Sequence, residues 1–119
     1  MTRRRIILEM GTGNDLHGSD YTKAALRAVQ DALHHSSLSL FKSLGLSGHE
    51  MQINLTIGVQ EPDQVDLDAV AASLPFGTVS PVARRGGANL PADGPHDQIV
   101  VAIAAIEVWY DIPAHLIQS

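Results

Sequence analysis

Met51, Ile53, Leu55, Ile57 and Val59 alternate strictly with Gln52, Asn54, Thr56, Gly58 and Gln60. A period of two places the first set on one face of a strand and the second on the other, so this stretch predicts a strand with one buried and one polar face. From 98 to 110 both interleaved sets are apolar: Ile99, Val101, Ile103 and Ala105 on one face, Val100, Ala102, Ala104 and Ile106 on the other. A strand of that kind belongs at the centre of a sheet or in an interface. Ile6 to Glu9 make a shorter, largely apolar run that predicts a first strand, ending where glycines allow a tight turn or the close approach of a ligand. The period then changes. Ala25, Val29, Ala32 and Leu33 recur at helical spacing, with Ser19 placed to cap and Asp20 in the first turn, which predicts a helix over 19–35. Leu38, Phe41 and Leu44 carry helical character on toward Gly45, a stop signal.

In the second half, Glu61-Pro62-Asp63 breaks the middle strand, and Asp66 can cap a short helix in which Leu67, Val70 and Leu74 share a face. Pro75-Phe76-Gly77 turns the chain into a weaker strand, Thr78 to Arg84. Pro81 lacks a ladder donor and so assigns that strand to an edge or a bulge. Between 85 and 97, Gly86, Gly87, Pro91, Gly94 and Pro95 predict a long loop without regular structure. The order β-α-β-α-β-β is that of an α+β fold, a single domain over 1–119 with one sheet and its helices packed on one face. The other face stays open. Its residues Gln52, Asn54 and Thr56 are polar but uncharged, which suits contact between subunits and predicts a homo-oligomer; a solvated sheet face is the alternative.

Composition narrows the chemistry. A chain of 119 residues can bury one core without staples, and the absence of cysteine removes disulfides, thiolate nucleophiles and cysteine-ligated metals. A net charge of −5 with eight Lys and Arg argues against a nucleic-acid partner, since phosphate contacts need concentrated basic surface. The one basic triplet, Arg3 to Arg5, reads as a solvated strand entry. The apolar run after it ends at Glu9, far short of a signal or membrane-spanning length, so no membrane partner and a cytoplasmic location are expected.

The densest chemistry lies in Gly11-Thr12-Gly13-Asn14-Asp15-Leu16-His17-Gly18. It is not a GxGxxG fingerprint, because Leu16 stands where glycine is needed, and no Gly-Lys-Ser/Thr of a P-loop follows. Nucleotide binding by those routes is unsupported, and the sequence leaves the cofactor unknown. Gly11, Gly13 and Gly18 can turn backbone amides toward an anionic or carbonyl-bearing ligand near a helix N-terminus, with Asn14 and Asp20 as further ligand-binding candidates. Asp15 and His17, two apart on an extended segment, would face the same side as an acid–base pair. The alternative is an Asx-turn at Asp15 and a bracing hydrogen bond at His17. Lys23 would supply charge for an anionic substrate, or form a local ion pair with Asp20. Glu9 could join Asp15 and His17 around a divalent metal. Arg84 and Arg85 read as surface solvation, as do His34 and His35, which diverge on a helix. Asp97 follows a histidine beside the long loop, and Glu107 interrupts an apolar strand, where a carboxylate needs a partner or a site.

The pattern Gly11-x-Gly13-x-Asp15-x-His17-Gly18, followed by Asp20-x-Thr22-Lys23-Ala24-Ala25, resembles the signature of a conserved hypothetical family of Lin type. The likeness runs on through Leu55-x-Ile57-Gly58-Val59, Pro75-Phe76-Gly77 and Ala105-x-Glu107-Val108. That resemblance implies no established activity. Ser19-Asp20-Tyr21-Thr22-Lys23 is similar to the helix start in one repeat of the ring-opening amidohydrolases, cyanuric acid hydrolase and barbiturase. Those enzymes fuse three repeats around one active site, which implies a trimer for a chain of this length. The sequence departs from that family where its repeat lysine falls near Gly11 and its Ser-Gly is Ile57-Gly58. Together these readings predict a hydrolase-like enzyme on a small polar carbonyl or anionic metabolite, with Asp15, His17 and Lys23 as catalytic residues. A non-catalytic metabolite-binding module or a structural oligomer is the other reading.

Overall fold

The computed structural model describes residues 2–34, 51–74, 77–94 and 97–112. The expected helical stretch 36–44 with its stop at Gly45, His35, the Pro75-Phe76 part of the turn, Pro95 and His96 lie outside the described residues. The chain runs β1 (Thr2–Asp15), α1 (Tyr21–His34), β2 (Gln52–Val59), a 3-10 turn (Pro62–Gln64), α2 (Leu67–Ala72), β3 (Thr78–Arg85), β4 (Ala88–Pro91) and β5 (Gln98–Ile112). All strands share one sheet in the order β1-β5-β2-β3, with β4 also paired to β5. This is the α+β fold that the pattern predicts, with β5 central and the Pro81 strand β3 at an edge.

β5 is antiparallel to β1 and to β2, and β2 is parallel to β3, so β1, β2 and β3 all point the same way. Their C-terminal ends therefore meet at one end of the sheet, together with the first turn of α1 and the start of β5.

Two boundaries differ from the sequence expectation, and both bear on the site. β1 does not stop at Glu9 but pairs with β5 through Gly11↔Ala104, Gly13↔Ala102 and Asp15↔Val100. Most of the expected glycine loop is therefore strand, and the connection to α1 is only Leu16 to Asp20. The expected loop over 85–97 contains β4, which forms an antiparallel pair with β5 through Ala88↔Val101 and Leu90↔Ile99. Gly86, Gly87 and Gly94 flank a four-residue strand that ends at Pro91, short enough for the turn signals to dominate the local sequence.

The core lies between the sheet and the helices. Ile53, Leu55, Ile57 and Val59 from β2, and Val100, Ala102, Ala104, Ile106 and Val108 from β5, are buried against Ala24, Ala25, Ala28, Val29 and Ala32 of α1. The alanines and the strand glycines fit one another. A Cβ on Gly11 would run into the backbone of Ala28 and Ala32, and one on Gly13 into that of Ala24 and Ala28. The two glycines let α1 lie directly on β1, a packing requirement in place of the tight turn or ligand approach expected from sequence.

Candidate functional site

Asp15, the last residue of β1, is 2% exposed and the one buried polar or charged side chain among the described residues. Its Oδ2 accepts from the Asp20 backbone N–H at 2.9 Å, and its Oδ1 lies 3.6 Å from Lys23 Nζ. The helix start uses Asp20 rather than Ser19 as its cap: Asp20 Oδ1 accepts from Lys23 N–H at 3.0 Å, and Asp20 O accepts from Ala24 N–H. Ser19 is instead the one described non-glycine residue with positive φ, 52°, following Gly18 at 89°. Two successive left-handed residues reverse the chain between strand and helix, a geometry that costs little at glycine and more at serine.

His17 takes a different direction from Asp15. Its Nδ1 lies 2.8 Å from Asp97 Oδ2, and its side chain is 81% exposed. A carboxylate only accepts, so Nδ1 carries the proton of that bond, and in the neutral ring the lone pair resides on Nε2. The Asp97 carboxyl is held below its ordinary value of 3.8, first by the hydrogen bond from His17. Partial desolvation opposes this; the charge of His17 and the backbone N–H groups of Gln98 and Gly18 add to it. Asp97 thus ties the β1–α1 connection to the start of β5.

A second tie lies beside it. Tyr21, buried in the first turn of α1, accepts at its hydroxyl from Asn89 Nδ2 at 2.8 Å and from Gln98 Nε2 at 3.5 Å. Asn89 sits across Val100 from Asp15 in the strand register, and its Oδ1 is buried without a hydrogen-bond partner. Tyr21, Asn89, Asp97 and Gln98 were not among the expected site residues. Asn89 and Gln98 had no local signal, since only the β4–β5 pairing brings them to α1.

The structure therefore brings Asp15, Gly18, Asp20 and Lys23 together, and joins His17 to Asp97 rather than to Asp15. The same-side expectation required an extended segment, and the strand ends at Asp15. Asn14 contributes its backbone carbonyl to Arg27 Nη1. Glu9 lies six residues upstream on the same strand, about 20 Å from Asp15 at the rise of a β-strand, and no cluster of three metal-ligating side chains occurs among the described residues. Glu107 finds its partner in Arg5 at 3.3 Å.

Residues 5–108 match the model of a family described as conserved hypothetical protein, Lin0512. The chain belongs to this family. A comparison with curated proteins finds no match. Among solved structures, the chain is similar to an FtsZ-like protein of unknown function from Nostoc punctiforme, with 38% identity, a TM-score of 0.79, and coverage of 94% of this chain and 99% of that one. The resemblance seen in the Gly11 to Gly18 signature is thus shown across most of the chain, and it comes without an assigned activity. No described helix is long and apolar enough to cross a membrane.

Proposed function

We propose that the chain is a hydrolase-like enzyme acting on a small polar carbonyl or anionic metabolite at the end of the sheet where Asp15, His17 and Lys23 lie. The observation that carries this reading is the His17–Asp97 pair: Asp97 fixes the ring and its tautomer and leaves Nε2 facing solvent, as a general base requires. In this reading His17 moves the proton and Asp97 orients it. Lys23, half-exposed beside Asp15, offers positive charge to a substrate oxygen. Asp15 holds Lys23 and the first turn of α1 in place, a positioning role. Gly18 and the strained Ser19 shape the connection from which His17 projects.

The test is turnover of a panel of small esters, lactones, cyclic amides and keto acids by the wild type, His17→Ala and Asp97→Asn, each checked for fold by circular dichroism. The reading expects turnover that His17→Ala abolishes and Asp97→Asn lowers by at least about tenfold through loss of the oriented tautomer. Equal turnover by folded His17→Ala would sink it.

A specific observation also favours assembly. Leu8, Met10, Val82, Leu90 and Ile103 are 38–68% exposed, and the strand register puts all five on the sheet face away from the helices. An apolar face of this kind fits a homo-oligomer. In that assembly a non-catalytic metabolite-binding module would use the same loop without changing its ligand, and a purely structural protein would bind none there.

A further inference from the structure

The open face of the sheet holds a groove of about 620 Å³ that crosses four of the five strands, from Met10 and Thr12 on β1, past Ile103 and Ala105 on β5 and Thr56 on β2, to Arg84 at the end of β3. Glycines make its floor. A Cβ on Gly58 would lie 2.6 Å from Ile103 Cγ1, and one on Gly86 would lie 3.2 Å from Gly58 Cα. Any side chain at either position would close the depression. The walls are mainly apolar, and the charged groups sit at its ends.

One end is cationic. Arg84 and Arg85 both line the groove; both are exposed, and neither side chain has an ion pair or hydrogen bond among the described residues. In a chain with 13 acidic residues against eight Lys and Arg, two of the β1 arginines, Arg3 and Arg5, by contrast face Asp111 and Glu107. At the opposite end Asp31 accepts from the Thr12 backbone N–H at 2.9 Å. Three strand spacings separate Thr12 from Arg84 in the register, about 14 Å, so the acidic end stands well away from the guanidinium.

We infer that this groove binds a small organic anion with an apolar body. The carboxylate or phosphate head meets Arg84, which shares the open face with Gly58 in the register, and the hydrocarbon lies along Ile103 and Ala105. An unpaired guanidinium presents a fork of donors matched to either head group, and the glycine floor lets the body approach the sheet closely. This site is separate from the His17–Asp97 pair and does not depend on its function. Where a second copy covers the sheet face, the groove becomes a cleft between subunits, so the protein is tested as it assembles.

The experiment titrates hexanoate, hexyl phosphate, hexanol and inorganic phosphate into the full-length protein, following amide resonances of Gly58, Gly86 and Ile103. Saturable shifts with at least one of the two hexyl anions, and weaker or no binding of hexanol and inorganic phosphate, are expected; the preferred anion identifies the head group. Arg84→Gln, an exposed position that leaves the core intact, should weaken that binding at least about tenfold. Ala105→Leu should fill the groove and block it, whereas His17→Ala should leave affinity unchanged. Absence of shifts with both anions overturns the inference. So does hexanol binding as tightly as the anions, or unaltered affinity in folded Arg84→Gln.

Discussion

At Gly13 the backbone of α1 comes so close to β1 that no side chain fits between them, and Gly11 repeats the contact one turn along the helix. Backbone atoms on both sides leave no flexible group to yield. Gly13→Ala should therefore destabilise the fold by about 3 kcal/mol, the upper end for overpacking, read as a lowered midpoint in urea denaturation. Asp15 shows the complementary case of a buried charge with its partners in place. Asp15→Ala strands the Asp20 N–H and releases Lys23, and should lose about 2 kcal/mol in the same measurement. Asp97 is half-buried, and its consequence lies in pH dependence. Its folded value lies below the ordinary 3.8, so its contribution to stability is fully present above that value and is lost as pH falls through the lowered one. Carbon-detected NMR should show the Asp97 carboxyl titrating below 3.8 in the wild type and moving back up in His17→Ala.

At the scale of elements, the edges of the sheet are treated differently. β1 is an edge strand, but Asp31 accepts from Thr12 N–H and Arg27 donates to the Asn14 carbonyl. Side chains of α1 thereby occupy backbone groups that would otherwise accept a further strand. β3, at the opposite edge, relies on Pro81 and a polar, largely exposed sequence. The two helices are joined through a hydrogen bond from Asp66 N–H to Thr22 Oγ1 at 2.9 Å, while Asp66 Oδ1 caps α2 by accepting from Ala69 N–H at 3.1 Å. Asp66→Ala should cost about 1 kcal/mol, the usual effect of a lost cap, and hydrogen exchange should show the loss as faster opening of α2 than of β5.

For the whole molecule, the decisive feature is a sheet covered on one side. The helix-facing side holds the buried core, and the other presents Leu8, Met10, Val82, Leu90 and Ile103. A homo-oligomer built on that face should be detected by size-exclusion chromatography with light scattering. Met10→Lys combined with Ile103→Lys should shift it to a monomer with an unchanged circular dichroism spectrum, because both side chains are exposed in the single chain. A monomeric wild type would count against assembly through this surface.

The strict alternation over 51–60 and the doubly apolar run from 98 specified β2 and the central β5 by themselves, because a period of two has only one good solution in a sheet. Pro81 likewise marked an edge, and the Gly11 to Gly18 signature marked the family. Tertiary structure decided what those glycines do: Gly11 and Gly13 continue a strand because β5 pairs with them, and they are glycine because α1 lies on top. It also decided the partner of His17. Asp97 is eighty residues away along the chain, and only the antiparallel pairing of β1 with β5 brings the two together. Local pattern reports which face of an element seeks burial; which distant carboxylate a histidine meets depends on the register between strands, and that register is set by the packed sheet as a whole.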